Sequence, residues 1–173
     1  MAAIGAPTLL GVPFDAASSF RRGAAGGPAA IRGALASPAG NSWTEGLVDL
    51  GVAGALVDAG DVALPDVTSA RTRIEAGVAA VLAAGGRPIV LGGDHSITYP
   101  VLRAVQQRHP HLSVLHIDAH PDLYDEFQGD RYSHACPFAR ALEEGLADDL
   151  VQVGIRTMNA AQRAQAERYG VDV

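Results

Sequence analysis

Apolar residues fall in short runs of strand length, separated by stretches whose apolar positions recur at helical spacing. The run at 8–12 stops at Pro13, and 14–27, crowded with Gly, Ser and Arg, reads as a long loop. Pro28 suits the first turn of a helix, where its missing N–H costs nothing, and 29–35 carry that helix on. A second strand is expected at 47–51, while 55–62 fits either state. Over 66–84 the signal is helical: Asp66 or Thr68 can cap, Ile74, Val78, Val81 and Leu82 share a face, and Gly85-Gly86 end it. Strands follow at 88–91, 112–117 and 150–155. Helices are expected at 99–108, from Ser133 or His134 to about Glu144, and from an Asn159 cap to Arg168, and 171–173 begins one more strand. This alternation predicts a single α/β domain over 1–173, three layers built on a mostly parallel sheet with helices on both faces.

Composition narrows the class. With 173 residues, 48% hydrophobic and only 5% aromatic, the chain suits small-residue helices on strands better than a sandwich or barrel. A formal charge of −6 argues against nucleic acid as a partner. One cysteine, Cys136, excludes an intramolecular disulfide framework and fits a reducing compartment. No Lys or Arg precedes the first apolar stretch, so it makes a poor secretory signal, and no apolar run nears the roughly 20 residues that span a bilayer. The expectation is a soluble cytoplasmic protein without a membrane partner.

Chemistry concentrates after two of the strands. Gly92-Gly93-Asp94-His95-Ser96 and Asp118-Ala119-His120-Pro121-Asp122 each follow an apolar run, at the kind of strand end where α/β sheets bind ligands. Asp118, His120 and Asp122 alternate, so an extended segment would aim all three one way. Two carboxylates and two imidazoles meeting at one spot call for a cation. Oxygen and nitrogen donors without thiolate suit Mn²⁺, Mg²⁺, Fe²⁺ or Zn²⁺. His95, Asp118, His120 and Asp122 are therefore the candidate metal ligands. Arg21 and Arg22 read as a solvated pair.

These two segments resemble the first two metal signatures of the ureohydrolases, the arginase and agmatinase superfamily. Gly11-Val12-Pro13-Phe14-Asp15, Gly26-Gly27-Pro28-Ala29-Ala30-Ile31-Arg32, Tyr132-Ser133-His134-Ala135-Cys136-Pro137-Phe138 and Gln152-Val153-Gly154-Ile155-Arg156 extend the resemblance along the chain. It implies an arginase-like fold and two Mn²⁺ ions. His95, Asp118 and Asp122 would hold one, and His120 the other, with Asp118 bridging. A bridging hydroxide would hydrolyse a guanidino compound to urea and an amine. His134 matches the family's proton-shuttling histidine, a catalytic role that an imidazole suits near neutral pH. The resemblance also implies a homo-oligomer.

Substrate and completeness are further expectations. Leu123-Tyr124-Asp125-Glu126-Phe127 lacks the Asn that animal-type arginases use, which favours an agmatine-type substrate over arginine or guanidinobutyrate. Asp125 and Glu126 read first as solvated loop carboxylates, and second as candidates to neutralise a cationic tail. The family's third signature, an Asp-x-Asp after a later strand, has no match; Asp148-Asp149 is adjacent and precedes a strand. A fragment or shortened form with weak metal binding and little turnover is therefore expected, the alternative being a non-catalytic metal binder or pseudoenzyme. Neither Gly pair opens a phosphate-cradling turn, which sets aside a nucleotide-binding module. The Gly-Gly-Asp-His-Ser and His134 segments speak against a zinc hydrolase of acyl-lysine amides.

Overall fold

The structure is a computed structural model that describes residues 5–173. These residues fall into two compact units, one running to Ala16 and resuming over Arg22–Gly93, the other made of Ala17–Arg21 and Asp94–Val173.

In the first unit β1 (Pro7–Val12) lies between β2 (Val57–Asp61) and β3 (Arg87–Gly92), and both pairings are parallel. Leu9, Leu10 and Val12 of the central strand are buried, as a strand flanked on both edges demands. Helix α1 (Gly27–Leu35) follows β1, with Pro28 in its first turn. Helix α2 (Val67–Ala83) joins β2 to β3; Asp66 caps it by accepting from the Ser69 N–H at 2.8 Å, and Ala70, Ile74, Val78 and Val81 form its buried face. Gly93 is needed for close approach, because a Cβ there would stand 1.9 Å from the Phe14 carbonyl oxygen.

In the second unit α3 (Thr98–Arg108), β4 (Ser113–Ile117), α4 (Pro137–Glu143), β5 (Asp149–Val153) and α5 (Ala160–Tyr169) follow in order. β4 and β5 pair in parallel, with His116 opposite Gln152. Leu123, Phe138, Leu150 and Ala166 form the core beneath them. On the opposite face Leu115, Ile117, Val151 and Val153 are exposed. A capping box of Asn159 and Gln162 opens α5, and left-handed Gly170 closes it. Asp172 then bridges to β5 in parallel, so the strand expected at 171–173 begins there.

The α/β class with parallel strands is as expected, although the described strands form two sheets. The strand expected at 47–51 does not exist. Leu47 has φ 58, Trp43 and Asp49 make an isolated antiparallel bridge, and Leu47 and Val48 point to solvent. Three apolar side chains on a turn had imitated a strand, and the ambiguous stretch after them supplies β2 instead. The helix expected from Ser133 or His134 opens only at Pro137, whose fixed φ suits a first helical position. No helix among the described residues is long and apolar enough to cross a membrane.

Candidate metal centre

The site lies in the second unit, where the chain leaves β4. The Asp118 N–H still bonds the Val153 carbonyl at 3.1 Å, and there the ladder ends. The Asp118 carboxylate then accepts from the His120 N–H at 2.9 Å, turning the loop back on itself. Asp122 adopts φ 47, a left-handed conformation that Asp tolerates, and the fully buried Leu123 pins the loop behind it. From the other side, the Arg156 N–H and the Thr157 hydroxyl both bond the Ala119 carbonyl, at 2.9 and 3.1 Å. Left-handed Gly154 (φ 89) is kept small by the Asp118 carbonyl, 3.1 Å from where a Cβ would sit.

His95 opens a short 3-10 turn capped by the buried Asp94, which accepts from the Ser96 N–H at 3.0 Å and the Ala17 N–H at 2.9 Å. That cap aims His95 at the acidic loop, where its Nδ1 stands 2.5 Å from Asp122 Oδ2. His116 projects from β4 beside it, with ring centroids 5.2 Å apart. His95, His116, Asp118 and Asp122 each offer one donor atom, all within 4.8 Å of one another.

Three of the four expected ligands thus meet. His120 does not join them. Its side chain is 62% exposed and its Nδ1 is 3.4 Å from Asp118 Oδ1. The alternation argument assumed an extended segment, whereas the Asp118 turn and left-handed Asp122 bend the loop, so His120 lines the same cavity from a more exposed position beside Asp118. His116 was missed. Its signal was present, one further step back along the alternation His116, Asp118, His120, Asp122, but it was hidden inside an apolar run.

Electrostatics follow from burial. Burial, then the neighbouring His95, push the His116 pKa below the ordinary histidine value, with Asp118 and Asp122 opposing. Burial alone would raise the Asp118 carboxyl, yet the His120 N–H bond and the charges of His116 and His95 hold it below the usual carboxylate range. The donor set is nitrogen and carboxylate oxygen without thiolate, which fits a divalent cation.

A cavity of about 440 Å³ opens over these residues, with Tyr124, Phe127 and His134 on its wall. His134 Nδ1 is 2.8 Å from the Ala17 carbonyl oxygen, which can only accept. The ring therefore carries its proton on Nδ1 and presents a lone pair at Nε2, with the Ser19 hydroxyl at 3.4 Å. Asp125, a candidate partner for a cationic tail, is already engaged. Arg140 donates to its carboxylate at 2.5 Å and to its carbonyl at 2.7 Å, and Arg131 donates at 3.0 Å. A larger cavity of about 780 Å³ beside α2 contains none of the candidate residues.

Comparison with known proteins bears on the whole assembly of motifs. The family model described as the arginase family matches residues 6–173. Arginase 1, mitochondrial, of Arabidopsis thaliana is 44% identical over 174 residues, covering 95% of this chain and 51% of that protein. Proclavaminate amidinohydrolase of Streptomyces clavuligerus is 39% identical over 157 residues, covering 87% of this chain and 49% of that protein. Among solved structures, arginase from Medicago truncatula superposes with a TM-score of 0.91 at 41% identity, covering 98% of this chain and 56% of that one. The chain spans about half the length of the curated relatives it matches. From Ala6 to Val173, strand ends and signatures included, it belongs to the arginase family.

Proposed function

We propose that this chain carries the metal-binding part of a hydrolase that cleaves the C–N bond of a guanidino compound, releasing urea and an amine. The observation that carries the reading is the meeting of His95, Asp118 and Asp122 under a cavity walled by His134. His95 and Asp122 would hold one manganese ion, Asp118 would be shared, and His120, which already touches Asp118, would serve a second. When bound, the ions supply positive charge that lowers the pKa of water and polarises the guanidino group.

The chain's own residues do the rest. With Nδ1 committed to the Ala17 carbonyl, His134 exchanges protons only at Nε2, the atom placed to take one up and deliver it to the departing amine. Phe127 packs edge-on to that ring, with centroids 5.8 Å apart, and helps to hold its orientation.

Arginine and agmatine are the substrates to compare. The missing Asn favours agmatine, but the engagement of Asp125 removes one argument for a cationic tail, and arginine is the substrate named for the Arabidopsis relative. A cytoplasmic, homo-oligomeric protein belongs to the same proposal, although that relative is named mitochondrial.

Because the third Asp-x-Asp signature is not in these residues, one weakly held ion and slow turnover are expected of this chain. Titration with Mn²⁺, counted by electron paramagnetic resonance, should show binding weaker than micromolar that Asp118→Asn abolishes. Urea release from arginine, agmatine and guanidinobutyrate is then measured at saturating Mn²⁺. No Mn²⁺ binding up to millimolar would overturn the proposal; binding without urea would favour the non-catalytic metal binder.

A further inference from the structure

We infer that His116 is a positioning residue for Asp118 and not a metal ligand: its neutral ring is locked with the proton on Nε2, aimed at the Asp118 carboxylate. The inference rests on the proposed function only in taking Asp118 as a ligand.

The lock is built from three groups. Gln152, opposite His116 across the β4–β5 ladder, has its side-chain nitrogen 2.7 Å from the Pro121 carbonyl oxygen. The reversed amide would bring two acceptor oxygens together there, so the nitrogen end must face Pro121. That nitrogen carries two hydrogens, and the second reaches His116 Nδ1 at 3.0 Å. His116 Nδ1 is therefore an acceptor, and the neutral ring keeps its hydrogen on Nε2. The same orientation explains why Gln152 Oε1 is buried without a partner.

Nε2 is likewise buried without a hydrogen-bond partner, and Asp118 Oδ2 stands 3.6 Å from it. The other Asp118 oxygen is already held by the His120 N–H. A small turn of the carboxylate would close the remaining gap and leave Asp118 held by one backbone and one ring donor. A nitrogen that bears a proton has no lone pair for a metal. His116 is near the donor cluster, but its tautomer excludes it from the coordination shell. Donors of this kind orient a ligand and are expected to change metal affinity by about 10–100-fold.

Two measurements test this. In long-range ¹H–¹⁵N correlation spectra of the metal-free chain, His116 should show a protonated Nε2 and an unprotonated Nδ1, the reverse of His134. On addition of Zn²⁺ as a diamagnetic probe, His95 resonances should move while His116 keeps its Nε2 proton. A proton on Nδ1, or loss of the Nε2 proton with metal, overturns the inference. If Zn²⁺ and Mn²⁺ both fail to bind, the proposed function falls, while the metal-free tautomer still decides this one.

Substitution gives the second measurement. His116→Gln puts an amide donor near the Nε2 position, and His116→Asn puts one near Nδ1. Mn²⁺ affinity should stay within about 3-fold of wild type in the first and fall about 10-fold or more in the second. Equal losses in two folded variants would mean that His116 is merely structural, and would overturn the inference.

Discussion

The layer directly beneath the cavity lining, here called its floor, and the rim hold their histidines in opposite states. On the floor, His116 and Gln152 are side by side because β4 and β5 pair in that register, and both are almost free of solvent. On the rim, His134 hangs from a turn and is oriented by a carbonyl from the Ala17–Arg21 segment. The floor ring presents N–H to the site and the rim ring presents a lone pair. A sheet register can fix a donor rigidly beneath a ligand, whereas the proton-exchanging role proposed for His134 suits a group on a turn, more open to solvent. Damage to the floor should therefore appear as lost stability, and damage to the rim as lost chemistry.

The largest effect should come from Leu123→Ala. Leu123 is fully buried against Phe138, Leu150 and Ala166, directly after Asp122. Removing it should lower unfolding free energy by about 2–5 kcal/mol, read by chemical denaturation, and weaken metal binding because the loop loses its anchor. A loss under about 1 kcal/mol would show that the floor is not the rigid element.

Arg140→Met comes next and tests where floor grades into rim. Arg140 is buried on α4 and bonds both the carboxylate and the carbonyl of Asp125, so it fixes the loop carrying Tyr124 and Phe127. Hydrogen bonds to charged groups contribute about 1.5–3 kcal/mol each, but Asp125 is half exposed, so about 2 kcal/mol is expected for the whole change. Lys cannot span two acceptors as a guanidinium does, so Arg140→Lys should recover only part of it.

The same contrast separates what was legible in the sequence from what was not. The strand ends, the α2 face and cap, and the meeting of His95 with Asp118 and Asp122 follow from local pattern and from signature spacing. The alternation could have placed His116 beside the site but not shown its role, because that depends on which residue of β5 lies opposite, and register is a property of pairing rather than of either strand alone. The exposure of His120 was not legible, because the alternation rule holds only while the backbone is extended and a left-handed Asp122 is invisible in composition. The apolar residues of 47–51 misled for a related reason: periodicity over so few positions does not distinguish a turn from a strand. Asp125 read as free because its partners, Arg131 and Arg140, lie 6 and 15 residues further on.

On the rim proper, His134→Asn should leave the fold almost untouched. An Asn amide can still donate to the Ala17 carbonyl, so stability should change by less than about 0.5 kcal/mol and Mn²⁺ affinity should hold. Urea release, where the assay detects it, should fall by about 100-fold or more, since no nitrogen remains to accept a proton at the Nε2 position. A variant that unfolds would place His134 with the floor and break the distinction.

The smallest effect concerns Cys136, two residues after His134 yet fully buried. Burial pushes its thiol pKa up to about 11; the Arg140 charge opposes this, and Asp130, Asp122 and Asp125 add to it. The unfolded thiol ionises near its ordinary value of 9.0, so above that pH the unfolded chain gives up its proton first. The associated stability is present below about pH 9 and is lost as pH rises toward about 11. Denaturation of wild type and Cys136→Ala at neutral pH and across that window should show the steeper alkaline decline in wild type. Iodoacetamide should label the native thiol slowly at pH values where the unfolded chain reacts at once. Parallel declines in the two proteins, or rapid native labelling, would mean that water reaches the turn behind His134, and the boundary between a dry floor and a wet rim would then lie deeper than the structure places it.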